Sequence, residues 1–252
     1  MKHLLKIFLL VLLIFSCSKK EVTPVPNCTL QSFDTDSPET GMTSAKYEYD
    51  TQGRLTKLTN DETNLQTTYS YFSSQVNATQ LNQKTGSISR YVYDLNSKGL
   101  AIALNITFSN STSKQKYTYE YDANDYTIKT TYQLTDSNNQ ITSQRTTISS
   151  YQDGNLITSE SDDASKVTYT YYTDKVLSYN VGLIFLGKRS TNFIKTVQYV
   201  SSKSTVYTYS KTDNVNEYDN SGFLTKQTQI RTKTSDGSTS TLKLSNYKFS
   251  CQ

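Results

Sequence analysis

Aromatic and polar residues alternate at period two along most of this chain. In residues 117–122, Tyr117, Tyr119 and Tyr121 share one face of an extended strand, and threonine, glutamate and aspartate occupy the other. Threonine and tyrosine also favour pleated strands. The pattern predicts an all-β fold of roughly 16 strands, with no amphipathic helix beyond the N-terminal segment.

A short unit recurs along the chain. Its clearest copies are residues 47–57 and 217–226, where a Tyr-Asp pair is followed, three residues after the aspartate, by glycine. The aspartate can bond nearby backbone and start a turn, and glycine adopts the positive φ that a tight turn requires. Each unit therefore predicts a β-hairpin. Looser copies are expected at Tyr91-Val-Tyr93-Asp94 before Gly99, at 119–125 with Asp125 in the glycine position, and at 151–156 with a shortened turn.

The N-terminal residues 1–16 predict a secretory signal peptide. Two lysines form a basic start, and residues 7–15 are a continuous apolar run that is too short to span a bilayer. Residues 14–17 resemble a bacterial lipobox, which implies cleavage before Cys17 and diacylation of its thiol. An ordinary secretory signal followed by a free cysteine is the alternative.

Residues 17–27 predict a flexible tether between the lipid and the fold. This stretch is polar, and Pro24 and Pro26 favour extended backbone. Ser18, directly after the lipidated cysteine, resembles the outer-membrane sorting rule of lipoproteins, and the charges at 19–21 resemble surface-export signals. We therefore expect an outer-membrane anchor and leave the side of the membrane open.

Two cysteines bracket the remaining chain, which we expect to form a single β-domain over residues 28–252. Cys28 and Cys251 are an even pair, and the oxidising cell envelope favours a disulfide between them. Such a bond would join the first strand to the last. Two buried free thiols are the alternative.

The units at 47–57 and 217–226 resemble YD repeats. With the lipobox, Cys28 and the terminal residues 248–251, they make the chain resemble the YD-repeat lipoproteins of unknown function in Bacteroidota. The resemblance implies an antiparallel meander of hairpins, curled into a barrel or an open twisted sheet, and brings no established substrate. More remotely, the units are similar to the β-shells of Rhs and teneurin proteins.

One face of the predicted sheet is tyrosine and the other is charged or hydroxylated. A transmembrane barrel would need an apolar outer band around a polar lumen, and few aliphatic residues are available for one. We therefore expect a water-soluble barrel or open sheet whose tyrosine face points inward. The tyrosines are expected to be structural, with a ligand-stacking platform as the alternative.

The apolar run at residues 181–187 breaks the alternation. It is too short for a membrane span. One interpretation is that it fills the core, and the other is a lid or plug over a ligand cavity. The residues of such a lid or plug would be Leu183, Ile184, Phe185 and Leu186.

Composition excludes several classes of function. The chain's one histidine lies in the signal peptide, so the mature protein lacks His-dependent catalysis and His-ligated metal sites. The 26 basic and 22 acidic residues are interspersed, and the net charge of +4 falls to +2 once Lys2 and Lys6 are removed. No nucleic-acid partner is therefore expected. No phosphate loop or calcium loop is present, and no cofactor or metal site is predicted.

Carboxylates are the remaining candidates for catalysis. Most have an expected local role in turns, namely Asp50, Asp94, Asp122 and Asp219, and the pair Asp162-Asp163 lies in a polar loop. Because paired carboxylates can hydrolyse glycosides, a hydrolase is one hypothesis.

We expect instead a non-catalytic envelope lipoprotein that acts as a binding or scaffolding module. Its partners would be the membrane, through the lipid, and an envelope protein, a glycan or an apolar ligand. The alternative is a carrier that holds a lipid or other apolar ligand in a tyrosine-lined barrel. Cavity volume separates the two, since a filled interior excludes a carrier.

Overall fold

The computed structural model describes residues 28–37, 41–177, 179–201 and 208–251. Seventeen strands and one 3-10 turn, Ile184–Leu186, occur in these residues. The strands are β1 (Cys28–Ser37), β2 (Gly41–Tyr49), β3 (Leu55–Asn60), β4 (Leu65–Tyr71), β5 (Gln75–Asn82), β6 (Ile88–Leu95), β7 (Ala101–Phe108), β8 (Lys114–Tyr121), β9 (Thr127–Thr135), β10 (Ile141–Gln152), β11 (Asn155–Ser161), β12 (Ser165–Val176), β13 (Tyr179–Asn180), β14 (Asn192–Ser201), β15 (Tyr209–Tyr218), β16 (Leu224–Lys233) and β17 (Thr239–Cys251). The predicted signal peptide and tether, with Cys17, lie outside the described residues.

Sixteen of these strands close into an antiparallel barrel. Each strand from β1 to β12 pairs with the next, β12 pairs with β14, and the order continues to β17, which pairs with β1. The two-residue β13 pairs in parallel with the start of β1. The predicted all-β antiparallel meander is confirmed, and the sheet is a closed barrel rather than an open one.

The first and last strands meet at one end of the barrel, which we call the terminal end. Cys28 and Cys251 face each other across this seam with their Cα atoms 4.1 Å apart, and their sulfurs form a disulfide. The predicted disulfide is therefore confirmed. The turns after β2, β4, β6, β8 and β10 also lie at the terminal end, because successive strands alternate in direction.

Tyrosine rings line the inside of the barrel and charged side chains cover the outside. Ion pairs join neighbouring strands on the outer wall: Lys129 Nζ lies 2.7 Å from Glu120 Oε1, and Lys226 Nζ lies 2.6 Å from Glu217 Oε1. A lipid-facing wall would carry an apolar band in place of such pairs. The two faces are therefore oriented as predicted. In the part of the chain that the structure describes, no helix has the length and hydropathy needed to cross a bilayer.

Among the described residues, the repeated turn is built in the same way five times. The side-chain Oδ1 of its first residue accepts the backbone N–H groups two and four residues later, and its fourth residue has a positive φ. The first residues are Asp50, Asn96, Asp122, Asp136 and Asp219. The fourth residues are Gly53, Gly99, Asp125, Asn139 and Gly222. Local sequence thus specifies these hairpins through one side chain.

The position of one predicted turn is corrected by the structure. Asp94, expected to start a turn, lies within β6 on the outer wall and accepts a hydrogen bond from Gln75 Nε2 at 2.9 Å. Asn96 starts the turn instead, because β6 runs on past Asp94 before the chain reverses. The turn at Asp136 is marked by no Tyr-Asp pair and was not predicted.

The second tyrosine of several units is tied to the preceding strand. Its hydroxyl donates a hydrogen bond to a backbone carbonyl near the start of that strand. The pairs are Tyr49 with Leu30 (2.6 Å), Tyr71 with Leu55 (2.7 Å), Tyr121 with Ala101 (2.8 Å) and Tyr171 with Leu156 (2.7 Å). Each of these tyrosines is therefore hydrogen-bonded to the backbone of an apolar residue on the preceding strand. This is the structural role expected of them.

We expect Tyr71→Phe to lower the free energy of unfolding by about 1–2 kcal/mol. The variant keeps the ring that packs against Phe185 but loses the hydroxyl donor to the Leu55 carbonyl. Tyr71→Leu should lose more, because the ring contact is removed as well. Denaturant unfolding of the three proteins measures these differences, and equal stability of the wild type and Tyr71→Phe would contradict the role of the hydroxyl.

Candidate functional site

The segment 181–191, which begins with the predicted apolar run, lies inside the terminal end of the barrel. Phe185 is 3% exposed and packs with Val76 and Ala101, and its ring centre is 4.8 Å from that of Tyr93. The segment leaves the wall between β12 and β14, yet these contacts lie on β5, β6 and β7. It therefore crosses the lumen, and we call residues 181–191 the plug.

The four residues singled out for a lid or plug occupy two environments. Leu183 and Leu186 pack beside Phe185 against the core cluster, whereas Ile184 is 59% exposed. In this structure three of the four thus fill the barrel interior.

Two glycines let the plug backbone touch the opposite wall. Gly182 has a φ of 70°, and a Cβ there would lie 2.6 Å from the backbone nitrogen of Leu55. At Gly187, with a φ of 84°, a Cβ would lie 2.7 Å from the carbonyl oxygen of Asp125. The Lys188 N–H donates to that same carbonyl at 2.9 Å. A side chain at either glycine would push the plug backbone away from the wall. These two close approaches and the Lys188 hydrogen bond hold the plug against the wall.

A cavity of about 570 Å³ lies between the plug and the wall formed by β14, β15 and β16. Its volume is in the range of sites that enclose drug-sized ligands. Aromatic rings, amides, hydroxyls and cations line it, including Tyr179, Arg189, Asn214, Gln229 and Arg231. Among the described residues that line this cavity, none is an aspartate or a glutamate.

Two arginines reach the cavity from different parts of the chain. The guanidinium carbon of Arg189, on the plug, lies 5.8 Å from the ring centre of Tyr179. That of Arg231, on β16, lies 5.7 Å from the ring centre of Tyr209. An aromatic face attracts a guanidinium without neutralising it. Neither arginine takes part in the ion pairs found among the described residues, so the cavity is positively charged.

Amide side chains form a hydrogen-bonded row along the inner face of β16. Arg231 Nη2 donates to Gln229 Oε1 at 2.8 Å, and Gln229 Nε2 donates to Gln227 Oε1 at 3.1 Å. Gln227 Nε2 in turn donates to Asn216 Oδ1 at 3.0 Å. We call these residues the amide row. It holds the Arg231 guanidinium in one position at the cavity wall.

Asn214, which lines the cavity, has an unsatisfied acceptor in its side chain. The residue is 6% exposed, and its Nδ2 donates to the carbonyl of Ile194 at 3.2 Å, which fixes the orientation of the amide. Its Oδ1 is buried and has no hydrogen-bond partner among the described residues. A buried acceptor left unsatisfied costs about 1–3 kcal/mol, so a bound hydroxyl or N–H group would relieve it.

Burial keeps the tyrosine hydroxyls uncharged. It raises the pKa of Tyr47 from 10.0 to about 12; the nearby Tyr179 adds to the shift and the Arg189 guanidinium opposes it. Burial also raises the pKa of Tyr151 and of Tyr179, both of which line the cavity. At neutral pH the charge of the cavity therefore comes from its cations alone.

We expect stability to fall as the pH rises from about 10 to about 12. Phenols of the unfolded chain lose their protons near pH 10.0, whereas folded Tyr47 keeps its proton until the pH reaches about 12. In this interval the unfolded state binds fewer protons than the folded state, so the free energy of unfolding decreases with rising pH. Thermal melts across the alkaline range measure the loss. Deprotonation of Tyr47 near pH 10 while the protein stays folded would contradict the prediction.

The predicted acidic pair lies away from the cavity. Asp162 and Asp163 belong to the turn between β11 and β12, at the end opposite the disulfide. Asp162 Oδ2 accepts the Thr146 N–H at 2.8 Å, and Asp163 Oδ2 lies 3.6 Å from Arg145 Nη1. These contacts give both carboxylates a local role. Over the described ranges, no group of His, Cys, Asp and Glu is arranged to hold a metal ion.

Sequence reasoning missed the cations and amides of the cavity. Gln227, Gln229 and Arg231 alternate along one strand, so their shared face could have been found from the sequence. Arg189 directly follows the apolar run, but its approach to the cavity depends on the path of the plug. Asn214 gives no signal, because nothing local distinguishes it from other strand amides.

No protein-family model and no curated protein matches this chain. Among solved structures, it is similar to a porin-like protein from Bacteroides uniformis, with a TM-score of 0.63 and 17% identity over 89% of this chain and 96% of that chain. It is also similar to a porin-like protein from Bacteroides vulgatus, with a TM-score of 0.46 and 10% identity over 88% of this chain and 98% of that chain. The first similarity shows a shared barrel fold. Its source belongs to Bacteroidota, the group that the lipoprotein resemblance indicates.

Proposed function

We propose that this chain is a lipid-anchored, non-catalytic envelope protein that binds a small molecule inside its barrel. The cavity beside the plug carries this proposal. A barrel interior that serves only as a core is filled by side chains, as the interior around Phe185 is. Along β14–β16 the interior holds about 570 Å³ of space instead, lined by aromatic and polar groups. A preformed concavity with a few placed polar groups is the usual form of a ligand site.

The envelope location rests on the N-terminal sequence. The lipobox-like residues 14–17 and Ser18 support an outer-membrane lipid anchor, as in the YD-repeat lipoproteins that the chain resembles. The barrel begins at Cys28, eleven residues after Cys17. With this short tether the terminal end faces the membrane, and the polar outer wall lies in water.

The lining favours a polar ligand over the two alternatives. A hydrolase that acts through carboxylates needs a pair of them in its cleft, and the described residues of this lining include none. A purely apolar ligand would leave the charges of Arg189 and Arg231 uncompensated and the Asn214 Oδ1 without a donor, which is unfavourable for buried polar groups. If the cavity holds no ligand, scaffolding through the outer wall becomes the favoured function.

Native mass spectrometry of the full chain, purified from its own membrane, tests the proposal. We expect an additional small-molecule mass that is lost on denaturation. Val197→Trp, which fills the cavity from β14, should abolish this mass. Val200→Trp, on the outer wall of the same strand, should keep it because Val200 is 50% exposed. A bare polypeptide mass for the wild type would contradict binding inside the barrel and favour scaffolding.

A further inference from the structure

Positive charge enters the cavity at two levels of the barrel. Lys188 and Arg189 lie on the plug, near the terminal end. Arg231 lies seven residues along β16 from Leu224, the residue where that strand leaves the terminal end. Both arginines line the same cavity of about 570 Å³. The cations therefore suit an elongated ligand with separated negative charges better than one compact ion.

No carboxylate of the described cavity lining neutralises these cations. Carboxylates such as Glu120 and Glu217 bond lysines on the outer wall, across the sheet from the lumen. A guanidinium binds a carboxylate through two parallel hydrogen bonds, which makes arginine the preferred residue for recognising that group. The cavity therefore offers guanidinium donors that suit the carboxylates of a ligand, and its described lining contains no carboxylate that would occupy them.

The rest of the lining suits hydroxyl groups. The buried Oδ1 of Asn214 needs a donor, and its orientation is fixed by the bond from Nδ2. Gln227, Gln229 and Thr212 add further polar groups beside it, and aromatic rings offer flat faces for packing. A fatty acid would supply one anion, but it has no donor for the Asn214 Oδ1.

We propose that the cavity binds an acidic saccharide, a short chain of sugars that carry carboxylates. The proposal rests on ligand binding inside the barrel, as set out above, and names the class of ligand. Arg189 and Arg231 each receive a carboxylate. Asn214 and the amide row receive hydroxyl groups of the sugar rings.

Calorimetric titration of the full chain with digalacturonate tests the ligand class, with the dimethyl ester of digalacturonate, in which both carboxylates are esterified, as the uncharged counterpart. We expect digalacturonate to bind with an affinity that falls as the salt concentration rises. The dimethyl ester should bind about tenfold more weakly or worse. Equal binding of the two compounds would overturn the role of the cations.

Variants connect the binding to the cavity. Arg231→Gln and Arg189→Gln should each weaken digalacturonate binding about tenfold or more, because each removes charge-assisted hydrogen bonds. Gln229→Glu is nearly isosteric and places a carboxylate beside Arg231, so it should weaken binding to a similar extent. The matched control is Arg90→Gln on the outer wall of β6, which should bind as the wild type does. Circular dichroism and melting temperature establish that each variant is folded.

Several outcomes would overturn the proposal. Laurate that binds more tightly than digalacturonate would replace the saccharide with a fatty acid. Absence of digalacturonate binding, or equal loss in Arg90→Gln and the cavity variants, would reject the acidic saccharide. Binding inside the barrel is judged separately, by the mass retained on the native protein and by its loss in Val197→Trp.

Discussion

Phe185→Ala is expected to lower the free energy of unfolding by about 3–5 kcal/mol. The ring is 3% exposed, and its centre lies 4.8 Å from that of Tyr93 and 6.2 Å from that of Tyr71. Its removal leaves a void that the plug cannot refill, because Gly182 and Gly187 hold the plug backbone against the opposite wall. Denaturant unfolding measures the loss.

Ile184→Ala is the matched control for this variant. It removes an apolar side chain from the preceding position, which is 59% exposed. We expect its effect on the free energy of unfolding to be about 0.5 kcal/mol or less. Equal losses from the two substitutions would show that Phe185 does not anchor the plug in the core.

Cys251→Ser is expected to lower the free energy of unfolding by about 2–5 kcal/mol. The disulfide to Cys28 has a sequence separation of 223 and joins β1 to β17 at the terminal end of the seam. Its removal gives the unfolded chain more conformational freedom and leaves the seam to the noncovalent contacts between the two strands. Calorimetric melts of the oxidised wild type and the variant measure the difference.

Reductant supplies the control for the disulfide. The reduced wild type should have the same melting temperature as the Cys251→Ser variant, and reductant should not change the melting temperature of that variant. A wild-type melting temperature that is unchanged by full reduction would show that the bond does not stabilise the barrel.

Local chemistry explains which hairpins could be predicted. A Tyr-Asp pair with glycine three residues later encodes a strand face and a turn together, so Asp50 and Asp219 were placed correctly. Asp94 was misplaced because Asn96 can accept the same backbone N–H groups, and alternation does not mark the residue at which a strand ends. Asp136 follows Thr135, so no Tyr-Asp pair marks its turn.

Contacts across the lumen depend on closure of the whole sheet. Period-two alternation assigns Arg231 to the inner face of its strand, but it does not tell whether the interior there is filled or empty. The plug decides this, because Phe185 fills the space beside β5, β6 and β7 and leaves space beside β14–β16. Its path is set by backbone contacts at Gly182 and Gly187, which no local pattern predicts.

The barrel cannot close until β17, its last strand, is available to pair with β1. The other pairings of the sixteen-stranded barrel join strands that are neighbours along the chain, except that β13 and the plug lie between β12 and β14. These pairs can form while the chain is still growing, whereas β1 must wait for β17. Until then β1 is an unpaired edge that can recruit other chains. The bond between Cys28 and Cys251 can form only in a chain that contains both β1 and β17, so it is a covalent mark of a closed seam, whereas a chain that lacks β17 keeps Cys28 reduced and the edge of β1 exposed.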